Sequence, residues 1–108
     1  MTEQEIDVRI AEYMGWQLVD NKNTYKNTNN NITLYTNIHM LPNYCNNLND
    51  VWQVEEKLKV EGYQLIYMKM LEKIVYETVD EDDFDEYFSI RHATAKECCE
   101  AIIRTLEG

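Results

Sequence analysis

The apolar positions Ile6, Ile10, Tyr13 and Met14 recur at helical spacing, while Glu3, Asp7, Arg9 and Glu12 fall elsewhere on the wheel. Thr2 and Glu5 have the spacing of a capping box, and Gly15 can adopt the left-handed conformation that closes a helix. A first helix is therefore predicted over residues 3–14. Residues 16–19 read as a short strand entering the core. Between residues 21 and 31 six of eleven residues are Asn and the apolar pattern disappears, which predicts a polar loop or hairpin tip. Residues 32–38 alternate again, with Ile32, Leu34, Thr36 and Ile38 on one face, and predict a second strand.

Pro42 forces Leu41 out of helical dihedrals and sets a turn. Beyond it, Leu48, Val51, Trp52, Glu55 and Leu58 lie along one helical stripe that Asn46 or Asn47 can cap and Gly62 can end. Trp52, in the middle of that helix, is expected to anchor the core between helix and sheet. From 63 to 70, and again from 73 to 79, apolar and aromatic residues occupy both odd and even positions, which predicts strands covered on both faces. A helix over 64–76 is the alternative, since Leu65, Met68, Glu72 and Val75 have partial helical spacing. Residues 87–91 continue the strand pattern in shorter form. Thr94 and Glu97 repeat the capping-box spacing, and Cys98, Ala101, Ile102 and Leu106 form the stripe of a closing helix. Strands with two apolar faces call for helices on both sides of the sheet.

Composition narrows this picture. The 108 residues, 44% hydrophobic and without a shift in composition, fit one domain over 1–108. Twenty acidic residues against ten Lys and Arg leave a formal charge of −10, which opposes direct binding to nucleic acid. Such a surface keeps a protein in solution, attracts a basic partner, or imitates a phosphate backbone. Neither a leader pattern nor a long apolar run is present, so a cytoplasmic protein with no membrane partner is expected. Three cysteines, Cys45, Cys98 and Cys99, make a disulfide framework improbable and suit a reducing compartment.

The most conspicuous local feature is the acidic run Asp80, Glu81, Asp82, Asp83, Asp85 and Glu86 around Phe84. It has no EF-hand glycine and no flanking pair of helices, so calcium is not expected; a solvated connection or a contact with a basic protein surface is. His39, Cys45, His92, Cys98 and Cys99 lack the pairwise spacing of zinc motifs, and buried free thiols are expected instead. With three glycines there is no phosphate loop, nucleophile elbow or dinucleotide fingerprint. No cofactor, metal or catalytic residue is assigned, and no enzymatic activity is expected. A ligand pocket between sheet and helix near Tyr44 and Trp52 is the remaining candidate site.

Three blocks carry a family resemblance: Ile-Ala-Glu-Tyr-Met-Gly-Trp at 10–16, Leu-Pro-Asn-Tyr-Cys-Asn-Asn-Leu-Asn-Asp-Val-Trp-Gln-Val-Glu-Glu-Lys-Leu at 41–58, and Ala-Thr-Ala-Lys-Glu-Cys-Cys-Glu-Ala-Ile at 93–102. Together they resemble the phage ABA-sandwich domain of small phage and prophage proteins. The resemblance implies an α+β fold, a three-layer α-β-α sandwich with a mostly antiparallel sheet and three helices. It supplies no activity and no catalytic residues. It implies a phage setting, in which the expected function is binding a host protein, with inhibition of a defence or nucleic-acid-handling complex as the finer form. The alternative is a nucleotide-binding protein or minor enzyme of phage nucleotide or DNA metabolism.

Overall fold

Helix boundaries follow from local chemistry. The computed structural model describes residues 1–19, 23–29, 31–78 and 93–108. Helix α1 (Glu3–Tyr13) opens on a capping box: Thr2 Oγ1 accepts from the Glu5 N–H at 3.2 Å while the Glu5 carboxylate accepts from the Thr2 N–H. It closes on Gly15, at φ +100°, with the Gly15 N–H donating to Glu12 O and the Trp16 N–H to Ala11 O. These two bonds satisfy carbonyls that a helix end leaves free. Helix α2 (Leu48–Val60) starts on Asn47, whose Oδ1 accepts from the Asn49 N–H at 2.9 Å. It ends on Gly62, φ +85°, with the Tyr63 N–H bonded to Leu58 O at 2.8 Å. After α3 (Gln64–Thr78), helix α4 (Ala95–Glu107) repeats the capping box through Thr94 and Glu97.

Helix α4 is the centre of the core. Its residues Cys99, Ala101 and Ile102 have no exposed surface, and it packs against α1, α2, α3 and the 3-10 turn Tyr44–Asn46. Ile10 from α1, Val51, Val54 and Leu58 from α2, and Tyr67, Leu71, Ile74 and Val75 from α3 complete the buried cluster. Burial of this kind stabilises by roughly 1.5–3 kcal/mol per large apolar side chain.

Strands β1 (Gln17–Val19), β2 (Thr24–Asn29) and β3 (Ile32–Asn37) form an antiparallel sheet in the order β1-β2-β3. The β2–β3 register runs without a bulge from Thr24 opposite Asn37 to Asn29 opposite Ile32. Asn31, at φ +66°, supplies a left-handed residue in the hairpin turn, a conformation its short side chain tolerates. Tyr25 is the strand residue buried in the core, and Asn27 Nδ2 donates to Met14 O at 3.3 Å, tying β2 to the end of α1.

The α+β class and the antiparallel sheet agree with the sequence, as do both capping boxes and both glycine caps. Three expectations are corrected. Where strands were expected at 63–70 and 73–79, residues 64–78 form the single helix α3, the alternative that the sequence left open, and make four α-helices among the described residues where three were expected; residue 79 lies outside them. The buried residues of α3 follow the i, i+4, i+7, i+8 pattern of a broad apolar arc, and neither Gly nor Pro interrupts it. The stretch expected to be a polar loop or hairpin tip at 21–31 contains strand β2 of the β2–β3 hairpin, because bonding to neighbours on both sides and the burial of Tyr25 outweigh the low strand propensity of Asn. Trp52, expected to anchor the core, is 57% exposed: α2 buries Val51, Val54 and Leu58, a stripe rotated away from the tryptophan. The strand expected at 87–91 lies outside the described residues.

Candidate functional site

Two regions offer recognition chemistry. The first is a polar cleft of about 280 Å³ between the first turns of α1 and the segment that leads into α2, lined by Glu3, Asp7, His39, Pro42, Asn43 and Asn46 among others. Asp7 Oδ1 accepts from the Cys45 N–H at 3.0 Å, bridging α1 to the 3-10 turn. Desolvation is the largest influence on Asp7 and raises its pKa; the bond from the Cys45 backbone partly opposes the rise. Asn37 Oδ1 caps the turn Ile38–Met40, accepting from the His39 and Met40 N–H groups. Asn46 Nδ2 donates to Asn43 Oδ1. The polar side chains around this cleft thus hold its own walls in place.

The three thiols, Cys45, Cys98 and Cys99, are free and buried in the core. Burial, reinforced by the nearby Asp7 carboxylate, pushes the Cys45 thiol up to about 12; burial also pushes Cys98 up to about 11 and raises Cys99. An activated nucleophile requires the opposite shift. Tyr67, buried beside Cys98, donates its hydroxyl to Glu55 Oε2 at 2.6 Å, which satisfies the phenol within the helical core. Among the described residues no buried side-chain nitrogen or oxygen lacks a partner, and no group of three or more His, Cys, Asp and Glu is placed to hold a metal.

The second region is apolar and exposed. On α2, Leu48 and Trp52 sit one turn apart on the side away from the buried stripe. On α3, Leu65 and Ile66 are exposed on the side away from the buried Tyr67, Leu71 and Ile74, and Met68 is exposed at the margin of that stripe. Exposed aromatic and Met side chains are enriched where proteins bind proteins. The two residues proposed from sequence to share a ligand pocket differ in setting. Tyr44 is buried, its phenol pKa raised mainly by desolvation, whereas Trp52 faces outward, and neither lines the polar cleft. The acidic run Asp80, Glu81, Asp82, Asp83, Asp85 and Glu86 lies outside the described residues. The sequence reading missed the polar cleft; the signal for it was the run Asn43, Asn46 and Asn47 before α2, in which Asn46 bonds Asn43 on the rim and Asn47 caps the helix. Among the described residues, no helix is long and apolar enough to cross a membrane.

The family model of the phage ABA sandwich domain matches residues 9–103. No curated protein and no solved structure matches the chain.

Proposed function

The chain belongs to the phage ABA sandwich domain family, and from that premise we propose that it acts by binding another protein through the outward faces of α2 and α3. The observation that carries this reading is Trp52, 57% exposed on a well-capped helix, with Leu48 one turn before it. A large aromatic side chain held outward by a rigid helix is the usual anchor of a protein interface, where a few such residues supply most of the affinity. The formal charge of −10 favours a basic partner by steering the encounter, and the acidic run at 80–86 adds to that attraction. In its finer form the partner is a host complex that handles nucleic acid or defends against phage, approached through its phosphate-binding surface. No catalytic step is assigned to the protein.

Affinity capture from host lysate tests the reading, with three baits: the unaltered protein, Trp52→Ala, and a variant in which the acids between Asp80 and Glu86 are amidated. A specific host protein is expected with the first bait, lost with Trp52→Ala, and weakened by amidation and by raised salt. Equal recovery on all three baits refutes it.

A further inference from the structure

Among the described residues, strand β3 lies at the edge of the sheet and pairs only with β2, in the sheet order β1-β2-β3. The Ile38 N–H donates to Asn23 O at 2.9 Å, so, in the unbroken register, the hydrogen-bonded pairs place Thr36, Leu34 and Ile32 against Tyr25, Asn27 and Asn29. Bonding alternates along an antiparallel pair, so the N–H and C=O of Thr33 and Tyr35 point away from β2, toward the free edge.

Proteins ordinarily protect such an edge by a charge, a proline, a bulge or shortness. The opposite edge, β1, is three residues long. Strand β3 is six residues long and has none of these protections: it carries no charge, no proline and no bulge. Three of its six side chains are large, apolar or aromatic, and exposed: Ile32 by 64%, Leu34 by 59% and Tyr35 by 66%. Lys26 is the one charged residue between Asn23 and Ile38, so the acidic charge that repels a second copy lies elsewhere in the chain. Two copies meeting at this hairpin bring no acidic residue of that segment into contact.

We propose that β3 pairs antiparallel with β3 of a second copy about a two-fold axis at Leu34, joining two three-stranded sheets into one of six strands. In this register Thr33 and Tyr35 of one copy bond Tyr35 and Thr33 of the other, using the free backbone groups. Leu34 faces Leu34 of the second copy in a non-hydrogen-bonded pair, where side chains approach most closely. Ile32 faces Thr36. Each position lies within β3, whereas a dyad at Tyr35 would set Ile32 against Ile38, where the chain has already turned into the helical turn Ile38–Met40. The assembly closes because the outer edges it leaves are the short β1 strands.

Sedimentation equilibrium over a hundred-fold range of concentration tests this with the full chain. The unaltered protein is expected at twice 12.9 kDa. Leu34→Lys and Leu34→Glu, at a position exposed enough to leave helical circular dichroism unchanged, are each expected to weaken the dimer by more than about tenfold through like charges facing across the dyad. Mixing the two variants is expected to restore it, since opposite charges then meet. Trp52→Ala should stay dimeric, which separates this outcome from the capture experiment. A monomer at every concentration, as when another segment or partner covers the edge, overturns the proposal. So does a dimer that survives Leu34→Lys, a mixture that stays monomeric, or assembly beyond two copies.

Discussion

Gly15 joins the first helix to the sheet, and replacing it with Ala separates two costs that the structure predicts. The first is conformational: at φ +100° a Cβ is strained, at about 1–2 kcal/mol, offset by roughly 0.4–1 kcal/mol from the stiffer unfolded chain. The second is a contact, because a Cβ on Gly15 would lie 3.3 Å from Asn27 Oδ1. Asn27 must then shift, weakening its bond to Met14 O, worth about 0.5–1.5 kcal/mol. Gly62 is the built-in control, with a similar φ of +85° and nothing within 4 Å of its missing Cβ. Gly62→Ala is therefore expected to lose up to about 1.5 kcal/mol, and Gly15→Ala about 0.5–1.5 kcal/mol more than Gly62→Ala. Urea denaturation followed by circular dichroism measures both. The excess should largely vanish when Gly15→Ala is made in an Asn27→Ala background, as expected for two groups in contact. Equal losses at the two glycines, or an excess that survives in that background, would show that the α1–β2 junction is not held by Asn27.

Ile102→Ala, in the fully buried centre of α4, is expected to cost about 2–5 kcal/mol, and Trp52→Ala less than about 1 kcal/mol. Denaturation midpoints with unchanged slopes would check the contrast, and the reverse order would place Trp52 in the core. The thiols make the fold sensitive to alkali. With folded values of about 12 for Cys45 and about 11 for Cys98, above the ordinary thiol value of about 8.5, the unfolded chain loses its protons first as pH rises. Their contribution is complete below about pH 8.5 and is lost as pH climbs through the folded values, so stability should fall across that window. Cys45→Ser with Cys98→Ala should flatten the fall. For the same reason alkylation of these thiols by iodoacetamide at pH 8.5 should run on the order of a hundred-fold slower in the folded protein than in urea. Modification at equal rates would contradict the burial.

The sequence alone determined what short-range chemistry controls. Thr2 with Glu5, Thr94 with Glu97, Gly15 and Gly62 mark helix ends because their partners lie within a few residues. The apolar stripe of α4 was legible because its burial is one-sided. Acidity, the free cysteines and the family resemblance also came from residues read in order.

Tertiary structure decided the rest. Residues 64–78 carry apolar side chains at both parities, a pattern shared by a strand covered on both faces and a helix that leaves Leu65, Ile66 and Met68 exposed beside its buried stripe; packing of α3 against α4 selects the helix. The Asn-rich stretch became β2 because strand pairing depends on neighbours distant along the chain. Trp52 and Val54 compete for the core side of α2, and hydrophobicity favours the tryptophan; the rotation of α2 against its neighbours buries the valine and leaves the tryptophan outward. The polar cleft needed the meeting of α1 with the turn at Tyr44–Asn46, and the position of β3 at the sheet edge among the described residues needed the strand order. Caps and periodicity are written within one helical turn, whereas the choice of faces, edges and clefts is made only when distant segments meet.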